Sequence, residues 1–312
     1  MIRQLVRQSR QCLPVRLAKR SLYFSRHKSI CWEEAVPPTM EKRINLDDIP
    51  PQFRADGELR FPSAIVPHVV LDPDFIADKH VFVIGDVHGC YDELKQLLDK
   101  VEINIGNPNI ITIFVGDLIN KGPKNREVLA LVRQLGAYSV RGNHDQKCIS
   151  QMTLLREGKT IEEEFEWIRN LTEEDYRQLM ELPYTISIPS LQSIVVHAGL
   201  VPGVPIASQD VVDMIVMRNL IKQDTKCKTQ SRSQDMQQQY KPSQSRSRGE
   251  PWASLWPGPD HIYFGHDAVR GLQQYKYATG LDTGCVYGKR ITGVFLTRSK
   301  QLVHVEAKKN VQ

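Results

Sequence analysis

The stretch Val81-Phe82-Val83-Ile84-Gly85-Asp86-Val87-His88-Gly89 decides how the rest of the chain is interpreted. Four apolar residues that stop at a glycine are typical of a buried parallel strand. In open α/β sheets, chemistry collects just beyond the carboxyl ends of such strands. Asp86 and His88 lie two residues apart, so an extended exit from the strand turns both side chains the same way. Alone, this Asp-x-His pattern does not separate a metal site from a solvated loop.

The same pattern recurs along the chain, because further β-type runs also end in Asp, Asn or His. These runs are 110–115 before Gly116-Asp117, 138–141 before Gly142-Asn143-His144-Asp145, 193–196 before His197-Ala198-Gly199, and 261–264 before Gly265-His266. Parallel strands that end at one edge of a sheet bring such residues together. The five endings therefore predict one site.

The ordered series Gly-Asp-x-His-Gly, Gly-Asp-x-x-x-x-Gly, Gly-Asn-His-Asp, His-Ala-Gly and Gly-His resembles the calcineurin-like metallophosphoesterases. Residues 265–273 and 280–288 are similar to the ApaH-like phosphatase branch, which includes bacterial diadenosine tetraphosphatase and the fungal metal-dependent endopolyphosphatase. The resemblance covers roughly residues 78–308. It implies an α/β fold, the calcineurin-like metallophosphoesterase sandwich, with metal ligands at the C-terminal ends of strands.

The resemblance also implies a pair of divalent metal ions. The ligands that it implies are Asp86 and His88 for one ion, Asn143, His197 and His266 for the other, and Asp117 as the bridge. Carboxylate, imidazole and amide ligands suit Mn, Zn, Fe or Co better than calcium or a structural zinc ion. Two such ions about 3.5 to 4 Å apart would share a hydroxide of lowered pKa and clamp the phosphoryl oxygens.

Three further residues are catalytic candidates by the same resemblance. His144 would support the leaving-group oxygen as a general acid or hydrogen-bond donor. Lys121 stands in Asn120-Lys121-Gly122, where protein phosphatases of the superfamily have Asp-Arg-Gly. A lysine offers a point charge in place of a bidentate fork. Arg218 resembles the arginine that binds phosphate in the ApaH-like branch, with a surface arginine on a helix as the alternative.

Charge is divided unevenly along the chain. Of 41 Lys and Arg and 36 Asp and Glu residues, residues 1–32 hold eight basic and no acidic residues, and 225–250 hold six basic and two acidic residues. The remainder therefore has 27 basic against 34 acidic residues, a net charge of −7. A polyanionic phosphate substrate would have to be held by metal ions and a few local cations.

The chain divides into four predicted segments. Residues 1–32 are rich in Arg and free of acids, which is typical of a mitochondrial transit peptide, with a basic tail of a cytoplasmic protein as the alternative. Residues 33–77 form an extended, proline-rich lead-in, and 78–308 form the metallophosphoesterase domain. Residues 225–250 contain almost no apolar residues and predict a disordered insertion. Nucleic acid could bind only as substrate or through this insertion.

Helical periodicity lies between the predicted strands. Leu94, Leu97 and Leu98 predict a helix after Cys90, and a second helix is predicted from about Asn125. Residues 150–182 predict two helices over the sheet edge, one of them beginning at Thr172. No apolar run approaches the roughly 20 residues that a membrane helix needs. The six cysteines form no Cys-x-x-Cys pair, and the sequence leaves the oligomeric state open.

These observations predict a metal-dependent hydrolase of phosphoanhydride bonds, acting on inorganic polyphosphate or a dinucleoside polyphosphate. The alternative enzyme class is a Ser/Thr protein phosphatase, which Asn120-Lys121 disfavours. A non-enzymatic alternative is an RNA-binding or scaffold protein that acts through the Arg- and Ser-rich insertion. The complete set of ligand positions disfavours that alternative.

Overall fold

The computed structural model describes residues 63–223 and 239–308, together with the backbone of Tyr23 and Phe24. The strands are β1 (Tyr23–Phe24), β2 (His68–Leu71), β3 (His80–Ile84), β4 (Ile110–Phe114), β5 (Tyr138–Ser139), β6 (Thr185–Ile188), β7 (Ser193–Val196), β8 (Asn219–Lys222), β9 (Tyr240–Ser243), β10 (Glu250–Pro251), β11 (His261–Phe264), β12 (Gln273–Tyr275), β13 (Ala278–Gly280), β14 (Arg290–Phe295) and β15 (Leu302–Glu306). The α-helices are α1 (Pro73–Ile76), α2 (Tyr91–Lys100), α3 (Asn125–Leu135), α4 (Asn143–Arg156), α5 (Glu173–Glu181), α6 (Val211–Val216) and α7 (Trp252–Leu255). Short 3₁₀ helices lie at Glu163–Asn170, Pro189–Leu191, Ile206–Ser208 and Cys285–Tyr287.

Two sheets pack face to face. One has the order β15-β14-β3-β4-β5, in which β3, β4 and β5 run parallel. The other has the order β1-β2-β6-β7-β11-β13-β12, in which β7, β11 and β13 run parallel. The five strands that precede the predicted site residues thus fall into two parallel sets, one in each sheet. The predicted α/β sandwich is confirmed.

The strands that carry the site are buried on both faces. In β3, Val81 and Val83 pack against residues of the opposite sheet, while Phe82 and Ile84 pack against the helices outside. Successive side chains of a strand point to opposite faces, so a strand between two apolar layers needs a continuous apolar run. On the other outer face, α6 and α7 cover β7 and β11. The layers are therefore helix, sheet, sheet and helix.

The predicted helices after Cys90 and from Asn125 are confirmed as α2 and α3. The start of α5 at Thr172 is confirmed by a capping box, in which Thr172 Oγ1 accepts from Asp175 N and the Asp175 carboxylate accepts from Thr172 N. The other predicted helix of 150–182 is replaced by the end of α4 and a 3₁₀ helix whose Phe165 enters the core.

The structure differs from the predicted segments at two places. The folded region begins before residue 78, because β2 pairs with β6 from His68 and buries Leu71. The insertion is folded over residues 239–250, where β9 and β10 pair with the two edges of β8. The reason is a contact between residues 27 to 30 positions apart, because the Asn219 amide donates to backbone carbonyl oxygens of this polar segment.

Other predictions fall on residues outside the described ranges. The leader over 1–32 and the lead-in up to residue 62 lie there, apart from the backbone of Tyr23 and Phe24, and so does 225–238. These predictions stay predictions. Among the helices of the described ranges, none is long and apolar enough to cross a membrane.

The contact between Phe82 and Gly293 provides a test of the packing. Phe82 is fully buried, and a Cβ atom on Gly293 of the neighbouring β14 would lie 2.4 Å from its ring. We expect Gly293→Ala to lower the free energy of unfolding by about 1 to 3 kcal/mol through overpacking. In a Phe82→Ala background, itself destabilised by about 3 to 5 kcal/mol, the same change should cost little. Urea unfolding of the four proteins measures this coupling, and additive effects would contradict the described packing.

Candidate metal centre

The predicted metal ligands follow the C-terminal ends of five strands. Asp86 and His88 come after β3, Asp117 after β4, Asn143 after β5, His197 after β7 and His266 after β11. The structure brings all six into one cluster between the two sheets. The residues meet although they are up to 180 positions apart in the chain, as where the backbone N–H of His266 donates to the Asp86 carboxylate.

Acceptor atoms converge in this cluster. Asp117 Oδ2 lies 3.4 Å from His88 Nε2 and 3.5 Å from His197 Nε2. On the other side, Asn143 Oδ1 lies 3.1 Å from His197 Nε2 and 2.9 Å from His266 Nδ1. Asp117 and His197 therefore link a group around Asp86 and His88 to a group around Asn143 and His266.

Backbone carbonyl groups decide which histidine nitrogen faces the cluster. Nδ1 of His88 donates to Ile119 O (3.3 Å), Nδ1 of His197 to Val115 O (2.8 Å), and Nε2 of His266 to Val216 O (3.0 Å). A carbonyl oxygen only accepts, so each of these nitrogens carries the ring proton. The remaining nitrogen of each neutral ring then points a lone pair at Asp117 or Asn143. Histidine ligands of metals are held in this way in proteins.

The converging acceptors fit divalent cations. Carboxylate and amide oxygens and unprotonated imidazole nitrogens repel one another at these distances unless a positive charge lies among them. Carboxylate, amide and imidazole are ligands that Mn, Zn, Fe and Co accept. The residues present therefore fit the metal pair that the sequence implies.

Burial changes the acidity of the whole cluster. Desolvation raises the pKa of Asp86 well above its usual value, with further contributions from the charges of Asp282 and Asp117. Desolvation likewise raises the pKa of Asp117 to about 7. For the histidines, burial lowers the pKa of His197 to about 4 and the pKa values of His88 and His266 well below 6.5. At neutral pH the histidines are thus neutral ligands, while a proton can compete with a metal ion for the carboxylates.

Strained backbone accompanies the ligands. His88 (φ 48°), Asp117 (φ 51°) and His266 (φ 71°) all lie in the left-handed region. For residues other than glycine, each such conformation costs on the order of 1 kcal/mol or more. Gly142 permits a close approach to a ligand, because a Cβ atom there would lie 2.1 Å from Asp117 Oδ1 and 2.4 Å from Asp117 N.

His144 lies beside the cluster with its ring edge-on to His88, at a centroid distance of 4.9 Å. Asn120 Nδ2 donates to His144 Nδ1 (2.9 Å), while Asn120 Oδ1 accepts from Lys121 N. A neutral His144 must then carry its proton on Nε2. Burial, followed by the charge of Lys121, lowers the pKa of His144 to about 3. The arrangement therefore makes His144 a neutral hydrogen-bond donor.

The two predicted cationic residues also lie at the cluster. Lys121 Nζ is 3.4 Å from His88 Nε2 and 5.4 Å from the centre of the Tyr287 ring. Arg218 follows α6, and its Nε lies 3.9 Å from Asp267 Oδ2, next in the chain to His266. After burial, the charge of Arg218 is the largest cause that lowers the pKa of His266. The alternative of a surface arginine on a helix does not hold, because Arg218 lies in the loop between α6 and β8.

Two buried carboxylates of the site escaped the sequence analysis. Asp145 accepts hydrogen bonds from the backbone N–H groups of Asp117, Leu118, Ile119 and Gly142. It thereby fixes the loop that presents Asp117. Asp282 hydrogen-bonds the carboxyl group of Asp86 and has a pKa raised by burial. Both aspartates lie in stretches that resemble the family, but the sequence alone does not identify their hydrogen-bond partners.

Comparison with known proteins agrees with this geometry. Residues 79–281 match the calcineurin-like phosphoesterase family. A symmetrical bis(5'-nucleosyl)-tetraphosphatase of Coxiella burnetii is 29% identical, over 70% of this chain and 89% of that protein. An asymmetrical bis(5'-nucleosyl)-tetraphosphatase, PrpE, of Halalkalibacterium halodurans is 30% identical, over 68% of this chain and 88% of that protein. A crystal structure with the provisional name diadenosine tetraphosphatase superposes with a TM-score of 0.66 at 33% identity, over 78% of this chain and 98% of that one.

We expect metal binding to weaken as the pH falls below about 7. The raised pKa of Asp117 means that its carboxyl group is protonated below that value, so an incoming ion must displace the proton. The histidines do not compete at neutral pH, because burial lowers their pKa values. Affinity should therefore fall by about tenfold per pH unit for each displaced proton. Calorimetric titration of the stripped protein with Mn²⁺ at pH 6, in buffers of different ionisation enthalpy, counts the protons released.

Asp117→Asn is the matched control for this experiment. An amide keeps the acceptor for His144 N, so the fold should persist, but it is a poor bridge between two cations. The variant should release fewer protons and lose turnover. Unchanged affinity from pH 8 to 5.5 in the wild type would contradict the role of the carboxylates. Turnover of the variant within about tenfold of wild type, a barrier change of about 1.4 kcal/mol, would contradict the bridging role.

Proposed function

The chain belongs to the calcineurin-like phosphoesterase family, and from this premise we propose that it hydrolyses a phosphoanhydride bond of a soluble polyanion, with a dinucleoside polyphosphate as the first candidate. The observation that carries the proposal is the set of converging acceptors around Asp117 and Asn143, with Lys121 and Arg218 at its edge. The names of the relatives, which are tetraphosphatases, support this choice of substrate.

In this proposal the six ligands hold two divalent ions, with Mn, Zn, Fe or Co as candidates. Such ions, when bound, neutralise phosphoryl oxygens and lower the pKa of a water molecule. The chain itself supplies the ligands, the backbone contacts that orient them, and the exclusion of bulk water by burial. Asp145 and the carbonyl groups that bind the histidines keep the ligands in place before substrate arrives.

His144 has the role of a hydrogen-bond donor to the leaving oxygen. Asn120 fixes the proton on Nε2, and the lowered pKa of His144 keeps the ring neutral at physiological pH. A phosphate leaving group of an anhydride is a weaker base than an alkoxide, so it needs hydrogen bonding more than full protonation. This agrees with an Asn at position 120, where a negatively charged Asp would favour an imidazolium.

Lys121 and Arg218 would bind the phosphate oxygens. Lys121 reaches His88 from one side of the cluster, while Arg218 approaches from the side of His266. A lysine serves several equivalent phosphate oxygens through one mobile ammonium group, whereas one phosphate that must be closely oriented favours a bidentate arginine. The Ser/Thr protein phosphatase alternative is for this reason the weaker one.

Tyr287 favours a nucleoside-containing substrate over inorganic polyphosphate. The residue is 58% exposed, and the centre of its ring lies 5.4 Å from Lys121 Nζ. Exposed aromatic rings beside phosphate-binding groups provide stacking surfaces for bases, worth about 1 to 3 kcal/mol each. Inorganic polyphosphate has no group that would use this ring.

We also propose that residues 1–32 direct the protein to mitochondria. The segment has eight basic and no acidic residues, and basic amphipathic segments follow the membrane potential inward. The cytoplasm is the alternative location.

The substrate proposal predicts an order of kcat/KM values. The full-length protein, stripped and reloaded with one metal at a time, should hydrolyse diadenosine tetraphosphate better than polyphosphate, capped RNA and a phosphothreonine peptide. Lys121→Ala should lower kcat/KM for every anhydride, and Tyr287→Ala should lower it about tenfold for diadenosine tetraphosphate only. Lys121→Arg should not create an efficient peptide phosphatase. A peptide that is the best substrate would overturn the proposal, and an equal effect of Tyr287→Ala on polyphosphate would remove the argument for the nucleoside.

The leader proposal predicts the destination of a reporter. Residues 1–32 fused to a fluorescent protein should bring it to mitochondria, and replacement of the eight basic residues by glutamine should leave it in the cytosol. A diffuse or secreted reporter carrying the unchanged segment would refute the assignment.

A further inference from the structure

Three guanidinium groups surround one carboxylate beside the metal centre. Arg270 Nη1 lies 3.0 Å and Arg218 Nε 3.9 Å from Asp267 Oδ2, and Arg246 Nη1 lies 3.7 Å from Asp267 Oδ1. Asp267 is 4% exposed by side chain and directly follows the ligand His266. Asp267 is the described ion-pair partner of all three arginines, so positive charge is in excess here. The surplus is notable in a protein whose folded body is otherwise acidic.

Arg270 binds other groups of the protein through its guanidinium. Besides Asp267, its guanidinium donates to Asn219 Oδ1 (2.8 Å) and contacts the carbonyl oxygens of Arg218 and Arg246 at 3.4 Å. These contacts join the loop after α6 to the loop before β10. Arg270 therefore organises the other two arginines, and its donors are largely occupied.

Arg246 is held by its backbone and not by its side chain. Asn219 Nδ2 donates to the carbonyl oxygens of Arg246, Arg248 and Gly249 at 3.0 to 3.2 Å. The flanking strands β9 and β10 both pair with β8. The Arg246 side chain itself is 47% exposed, and the contact to Asp267 is its described ion pair. The backbone of the loop is thus fixed, while the guanidinium group of Arg246 is exposed to solvent.

One buried donor of this group lacks a hydrogen bond. Arg218 Nε is a buried side-chain atom without a hydrogen-bond partner among the described residues, and it lies 3.9 Å from the nearest described carboxylate oxygen, Asp267 Oδ2. Arg218 Nη1 donates to the carbonyl oxygen of Gln244. This bond occupies one of the five N–H donors of a guanidinium group. Buried donors without partners are uncommon in folded proteins, which points to a ligand with acceptor oxygens.

We propose that Arg246, acting beside Arg218, forms a subsite for a phosphate group of the substrate beyond the one that reacts. The proposal rests on the proposed function and adds to it, because it makes the number of phosphates a determinant of binding. Arginine pairs with phosphate oxygens through charge-assisted, often bidentate hydrogen bonds. A monoester has no second phosphate for Arg246, whereas a chain of phosphates does. Residues 239–250, the described part of the Arg- and Ser-rich segment, thereby become part of the site.

The test compares two ligands that cannot be hydrolysed. The full-length, metal-loaded protein is titrated calorimetrically with methylphosphonate and with the bis-methylene analogue of tripolyphosphate, at a fixed free metal concentration. We expect the wild type to bind the three-phosphorus ligand at least tenfold more tightly than methylphosphonate. Arg246→Ala should weaken the longer ligand by about tenfold or more and change methylphosphonate binding by less than twofold, and Arg246→Lys should lie between.

Arg248→Ala is the matched control. It removes the same charge two positions along the same exposed loop, and its backbone carbonyl remains available to Asn219. It should bind both ligands as the wild type does. An equal loss in Arg248→Ala, or no loss in Arg246→Ala, would overturn the subsite. Should the subsite behave as expected while no anhydride is hydrolysed, the proposed function fails and the subsite stands.

Discussion

The structure depends on a concentration of electron-pair donors, oxygen and nitrogen atoms that only cations can stabilise together. Asp117 Oδ2 and Asn143 Oδ1 each face two histidine nitrogens whose protons lie on the far side of the ring. Because the cluster is buried, protein and water provide little screening, and the pKa values of carboxylates and histidines move in opposite directions. Without metal ions, protonation of the carboxylates in this cluster would lower the free energy of the folded protein. The fold thus maintains an arrangement whose free energy is favourable with metal ions.

The sandwich maintains that arrangement by joining its two sheets at the site. His197 leaves one sheet and donates to Val115 O at the end of a strand in the other. The backbone N–H of His266 likewise donates to the Asp86 carboxylate of the opposite sheet. Each of these bonds orients a ligand and at the same time fixes the distance between the sheets. Packing and ligand geometry are therefore one problem, and a shift between the sheets would disperse the ligands.

Elements with a local sequence pattern could be predicted, whereas roles that depend on residues distant in the chain could not. A short apolar run before Gly-Asp or Gly-His has a local signature, so the strands that precede the ligands and the helices α2 and α3 could be predicted. Asp145 and Asp282 could not be assigned, because their roles consist of hydrogen bonds to Asp117 and Asp86 across loops. Strand β9 has no apolar alternation. It is ordered by pairing with β8 and by one amide, Asn219, a contact that composition does not encode.

The pairing of β8 with β9 separates Arg218 and Arg246 from the rest of the insertion. The ladder runs from Asn219 opposite Ser243 to Lys222 opposite Tyr240, and 17 residues connect its far end. Closing a loop becomes harder only slowly with length, by about 0.6 kcal/mol per doubling. Evolution can therefore lengthen, shorten or rewrite that connection without moving Arg218 or Arg246. The far end of the ladder is therefore an insertion site, where a new domain or a targeting signal for another compartment could be added without altering the active site.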